Sequence, residues 1–176
     1  APMVEVAERL CAAGALTAGA EGKVLALARA VTHLVSAGRY DLADQMLARI
    51  DRAPAVTDPA ILARVADARA RRVIVLGDLG GFLRLKEAAL ASAERAGDVR
   101  MACNTRISVG FAWLELGAYA NAQRALATAL EGATRLGLSG ILPAAKQTLG
   151  VALAMLGRAA EARAVEQEAI DAFHGQ

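Results

Sequence analysis

Four glycines, Gly38, Gly77, Gly117 and Gly157, divide the chain at nearly equal intervals of about 40 residues. A period of that size marks a fold built by stacking one small supersecondary unit on the next. Each glycine follows an apolar stretch with helical spacing and precedes another. The composition agrees. Alanine and leucine, both strong helix formers, dominate a chain that is 56% hydrophobic and only 3% aromatic. The core must therefore be made of small aliphatic groups. The prolines, Pro2, Pro54, Pro59 and Pro143, fall where helices begin or are interrupted. These features predict helices near 2–13, 20–37, 40–51, 59–76, 80–97, 99–116, 119–136, 140–156 and 159–174. Asp58-Pro59 is a start signal, with Asp as cap and Pro in the first turn. Asp98 reads as the cap of a later helix, and 52–58 as the one real loop.

The repeat has a physical reason at each marked position. Glycine at the bend permits a tight turn between two helices. Small residues at Gly110, Gly150, Ala43, Ala122 and Ala162 let paired helices approach closely. A larger residue two places after the bend (Tyr40, Leu79, Tyr119) is expected to plug the gap between them. The third copy states the pattern in full, from Gly110 through Gly117, Tyr119 and Ala122 to Leu126 and Ala129. The fourth copy follows with Gly150, Gly157, Ala162 and Ala169; the second is the most divergent, with Phe82 where the others carry alanine.

This Gly-x-Tyr-x-x-Ala-x-x-x-Leu-x-x-Ala pattern, with a glycine seven residues before the bend, resembles the tetratricopeptide repeat over residues 24 to 174. The resemblance implies an all-α fold, a right-handed α-solenoid of antiparallel helical hairpins with about nine helices. It implies one domain over 1–176, with a partial repeat at 1–19 and repeats at about 20–58, 59–98, 99–138 and 139–176. The period is longer than the family's usual ~34 residues. The extra residues are expected in the second helix and the turn after it. Long copies with phrases such as Glu94-Arg95-Ala96-Gly97-Asp98 resemble repeats attached to bacterial Ser/Thr protein kinases and large signalling ATPases. On that resemblance the segment is expected to be a piece of a larger cytoplasmic signalling protein.

Catalytic motifs are poorly matched. Gly19-Ala20-Glu21-Gly22-Lys23-Val24 lacks the first glycine of a phosphate-binding loop, where Thr17 stands, and the Ser or Thr after the lysine. Gly77-Asp78-Leu79-Gly80-Gly81 lies between two helices and reads as a turn, not a dinucleotide fingerprint. Gly137-Leu138-Ser139-Gly140 is not a nucleophile elbow, and Ser139 reads as a helix cap. His33 and His174 have no Cys, Asp or His at ligand spacing, and Glu166 and Glu168 point to different sides of a helix. Cys11 and Cys103 read as buried free thiols, which fits a reducing compartment. No catalytic residue, metal site or cofactor is expected. The net charge is +2 with no block of like charges, so neither nucleic acid nor a polybasic membrane contact is expected. Arg29 and Lys146 break the longest apolar runs, which excludes a membrane span there.

The resemblance implies a protein or peptide partner on the concave face, lined by the first helix of each pair. Carried onto this chain, the groove rows are Ala28, Thr32 and Val35, then Arg64, Asp67 and Arg71. Next come Asn104, Ile107, Ser108 and Phe111, and then Gln147, Val151 and Met155. The two arginines beside an apolar strip would suit a peptide with an acidic residue and two apolar anchors. Ala28, Thr32 and Ala68 occupy positions where chaperone-binding members carry Lys and Asn, so a carboxylate clamp of that kind is not expected. Two alternatives from other classes are a peptide or small-ligand sensor domain of a transcriptional regulator, and a self-assembly module that forms a homo-oligomer through uncapped ends.

Overall fold

The computed structural model describes residues 19–174, and the regular elements among these are α-helices and one 3-10 turn. The expected helix at 2–13 and Cys11 lie outside the described residues. Within the described residues eight helices follow one another: α1 (Ala20–Ser36), α2 (Tyr40–Asp51), α3 (Pro59–Val75), α4 (Leu79–Arg95), α5 (Val99–Glu115), α6 (Tyr119–Arg135), α7 (Leu142–Met155) and α8 (Ala159–His174). They agree with the sequence-derived bounds to within one or two positions. The expected loop is found between α2 and α3. The chain divides into two compact units, with the boundary between Gly97 and Asp98.

The turns explain the regularity. Gly38, Gly77, Gly117 and Gly157 have positive φ, between 71° and 78°, a conformation that costs an L side chain about 1–2 kcal/mol. Gly97 and Gly137, at the turns between successive repeats, adopt the same conformation. From Gly77 onward these glycines recur at one constant step, at positions 77, 97, 117, 137 and 157. The turn after the second helix is short after α4, whereas α2 is followed by the loop at 52–58 and α6 by the 3-10 turn Ser139–Ile141. α3, α4, α5 and α6 are each 17 residues long, so the helices also hold extra residues of the repeat. The constant step breaks only at α2, which has 12 residues and is followed by the loop.

In the first unit, α1 pairs with α2, α3 pairs with α4, and α1 packs against α3. Its core joins Val24, Leu27, Ala28, Val31 and Leu34 of α1 to Ala43, Met46 and Ile50 of α2 and to Ile61, Val65 and Ala68 of α3. Asp58 and Asp78 cap α3 and α4 by accepting hydrogen bonds from the backbone N–H groups of Ala60 and Gly81. Tyr40 does not plug the gap between helices. It is 38% exposed, and the Arg72 guanidinium lies 5.3 Å from its ring centroid. Arg72 also donates two hydrogen bonds to Asp44, at 2.7 and 2.9 Å, tying α3 to α2. Leu79 and Tyr119 are likewise only half-buried.

In the second unit, α5 pairs with α6, α6 packs on α7, and α7 pairs with α8. Ala122, Leu126, Leu149, Ala152, Leu153 and Ala162 form its core, with Ile107, Trp113 and Val165 packed at the margin. The small residues act as expected. A Cβ on Gly110 would stand 2.5 Å from Leu126 Cγ, and one on Gly150 would stand 2.6 Å from Glu166 Cγ. Asp98 caps α5 through the Met101 N–H. Ser139 caps nothing. It opens the 3-10 turn Ser139–Ile141, which precedes α7 because Pro143 suits only the first turn of a helix. Cys103 is a buried free thiol whose Sγ would sit 2.8 Å from a Cβ on Gly132.

Candidate functional site

A concavity of the first unit lies between α1 and α3. It has a volume of about 400 Å³ and is lined by Ala28, Arg29, Thr32 and His33 from α1 and by Arg64, Asp67 and Arg71 from α3. Residues 28, 32 and 33 recur at helical spacing on α1, as 64, 67 and 71 do on α3, so each helix offers one continuous stripe. The two stripes face each other because α1 packs directly on α3 through Ala28 and Ala68, which are both buried and small. Five residues that the sequence placed in the groove thus come together: Ala28, Thr32, Arg64, Asp67 and Arg71. Ala28 contributes almost no surface, and the Thr32 hydroxyl donates back to the Ala28 carbonyl.

Charge is organised around Asp67. Its Oδ1 accepts a hydrogen bond from Lys86 Nζ at 2.5 Å, and its Oδ2 accepts one from Arg71 Nε at 3.0 Å. Lys86 belongs to α4 and is only 3% exposed, with its ammonium 5.4 Å from the Phe82 ring centroid. Burial by itself would push the Asp67 carboxyl up. The Lys86 ammonium and the Arg71 guanidinium outweigh it and hold that carboxyl below its ordinary value of 3.8. Burial pulls the Lys86 ammonium below its ordinary 10.5, with Asp67 opposing that shift. One carboxylate thus serves two cations, and the cluster carries net positive charge.

Sequence reasoning missed Arg29, His33 and Lys86. The signal for Lys86 was available. It stands in the stripe Phe82, Lys86, Ala89 and Ala93, whose other members are all buried apolar side chains. A lysine in such a stripe needs a partner from a neighbouring helix. Arg29 and His33 each directly follow a groove position, and a helix cleft is wide enough to include those neighbours.

The second unit holds a different concavity, about 340 Å³ in volume, lined by Gln147 and Val151 of α7 and by Glu166, Ala169 and Ile170 of α8. Val151 and Ile170 are 42% and 47% exposed, so this cleft has an apolar wall. Met155 lies one turn further along α7 and is exposed. On α5, Asn104 and Phe111 are exposed and Ile107 and Ser108 are half-buried, and none of the four lines the α7–α8 cleft. Gln147 and Val151 share this cleft with α8 residues. Among the described residues no three His, Cys, Asp or Glu side chains gather as a metal site would require. No helix among them is long and apolar enough to cross a membrane.

No family model and no curated protein matches the sequence. The fold does match a solved structure, the crystal structure of aspartyl phosphate phosphatase F from Bacillus subtilis. The TM-score is 0.77 at 12% sequence identity, over 90% of this chain and 42% of the other. The chain thus spans less than half the length of the protein it resembles in fold. Helical hairpins, positive-φ glycine turns and this likeness together make the fold all-α and of the tetratricopeptide-like repeat class.

Proposed function

We propose that this chain is a protein-interaction module that receives a peptide or a surface helix of a partner on the first helices of its hairpins. The observation that carries the reading is the convergence of Ala28, Thr32, Arg64, Asp67 and Arg71 on one open cleft. These residues were selected by repeat register alone, and an unused surface would give no reason for them to line a common concavity. The apolar α7–α8 cleft, with Gln147 and Val151, offers a second contact surface of the kind that aromatic or aliphatic anchors fill. On the second unit, Asn104, Ile107, Ser108 and Phe111 are read as the row that completes partner contact on α5. The role we assign is regulatory binding rather than catalysis, within a larger bacterial signalling protein of the kinase-linked type. The fold likeness to a phosphatase of aspartyl phosphate is compatible with a signalling setting.

The test is a selection of displayed peptides on the whole chain, followed by calorimetric titration of the enriched sequences. Binding in the micromolar range or tighter is expected, about −8 kcal/mol. Arg64→Glu or Val151→Asp should weaken it while far-UV circular dichroism stays unchanged. Failure to enrich any peptide, or affinities indifferent to both substitutions, removes the reading. Arg71 is the wrong position for charge reversal. A glutamate there would face Asp67 in a half-buried cluster and perturb folding as well as binding.

A further inference from the structure

Resting on that reading, we infer that the α7–α8 cleft is a subsite for a lysine or arginine that a partner helix presents among aliphatic residues. In every copy of the repeat one residue stands ten places before the bend glycine and another nine places after it. The pairs are Ala28 and Leu47, Asp67 and Lys86, Ile107 and Leu126, and Gln147 and Glu166. In the first and third copies the pair is apolar and packs in or against the core of its unit. In the second copy it is ionic, and buried Lys86 finds its counter-charge on Asp67 of the same hairpin. The fourth copy puts a glutamate in the register of Lys86 and a neutral amide in the register of Asp67. Gln147 cannot neutralise a carboxylate, so this hairpin lacks the counter-ion that the second copy carries within itself.

Glu166 is exposed and makes no ion pair among the described residues, while Lys146 and Arg158 are engaged by Glu168 and Glu161. Its side chain lies against α7 at Gly150, where a Cβ would stand 2.6 Å from Cγ and 3.0 Å from Oε1. Glu166 and Gln147 both line the cleft of about 340 Å³, beside Val151, Ala169 and Ile170. In the preceding hairpin the same register is closed. Leu126 is fully buried in one core with Leu149 and Leu153 of α7, the helix that follows. A helix is therefore the shape that this register receives within this chain. A wholly apolar helix laid over α7 and α8 would strip water from Glu166 and leave it without a counter-ion, at a large cost. A lysine or arginine removes that penalty. Its stem packs on Val151 and Ile170, and its charged end reaches the Glu166 carboxylate and the Gln147 amide oxygen. A neutral or acidic residue at the same point is disfavoured, so the cleft selects among partners by charge.

The experiment titrates the whole chain with a leucine–alanine helical peptide carrying one central lysine, and with its norleucine and glutamate counterparts. The lysine peptide should bind about tenfold more tightly than the norleucine peptide, and the glutamate peptide most weakly. In Glu166→Gln, checked for an unchanged melting curve, the lysine and norleucine peptides should bind alike. Equal binding of those two to the unaltered protein, no binding of the lysine peptide, or a lysine preference that survives Glu166→Gln overturns the inference. A dimer of the chain alone that Ile170→Asp breaks and that the lysine peptide disperses overturns the outside partner and puts a second copy in the cleft. Displayed peptides that bind through Val151 without a basic residue, and ignore Glu166→Gln, would leave the interaction module standing and remove the subsite.

Discussion

Gly110→Ala is the sharpest probe of how the second unit is held together. Two effects oppose each other. Alanine in a helix interior is favoured over glycine by about 1 kcal/mol. Against this, the new methyl would stand 2.5 Å from Leu126 Cγ and 2.9 Å from its Cδ2, where carbon contacts settle at about 3.5–4.0 Å. Leu126 is fully buried in the core with Leu149 and Leu153, so it has no solvent side to retreat to. Moving it by about an ångström forces an unfavourable rotamer or a shift of α6 against α5, at about 1–3 kcal/mol. The packing effect wins, and a net loss of about 1 kcal/mol is expected. In a Leu126→Ala background the sign reverses. That change alone should cost about 2–5 kcal/mol, and the space it opens admits the new methyl. Gly110→Ala should then stabilise by up to about 1 kcal/mol. Trp113, the only tryptophan, packs at the margin of this core, so its fluorescence in urea titrations reports on the second unit specifically. A double-mutant cycle with a coupling below about 0.5 kcal/mol would refute the argument, since residues in contact must couple by more than that.

Other expectations follow from the same geometry. Asp67→Asn should destabilise the first unit by about 3–5 kcal/mol, because it leaves Lys86 charged and buried without a counter-ion; adding Lys86→Met should recover most of that loss in thermal melts. The Asp67 carboxyl has a native value below its ordinary 3.8, so its stabilisation is complete above the ordinary value and declines as pH falls toward the lowered one. Acid titrations of melting temperature should show that slope, and Asp67→Asn should flatten it. Gly117→Val should cost about 1–2 kcal/mol through backbone strain alone, because a Cβ there meets nothing within 4 Å; a loss above about 3 kcal/mol would mean that the turn is packed after all.

Much of the fold was legible because the informative residues are punctuation. Positive-φ glycines and the Asp caps at 58 and 98 state where helices stop and start whatever lies around them. The longer period hid a step half its size, because Gly97 and Gly137 follow the second helices and lack the aromatic that marks Tyr40 and Tyr119. Tyr40 reads as a plug because nothing in the sequence signals that Arg72, from the following hairpin, offers its ring a cation at the surface. For the site, repeat register found the stripe on α3 but not Lys86. That contact is made between helices of one hairpin and has no local spacing rule.

The same glycine turn at both ends of α4, α5 and α6 has a consequence for how such a chain can change in length. The local signal repeats once per helix, but the role of a helix, first or second in its pair, repeats once per hairpin. An insertion or deletion of one helix and its turn would splice without a flaw in the turn chemistry. It would also exchange the roles of the helices that follow in the same unit, burying the stripe meant for a partner and exposing the stripe meant for the core. Length can therefore vary only by even numbers of helices, a parity rule that no single turn records.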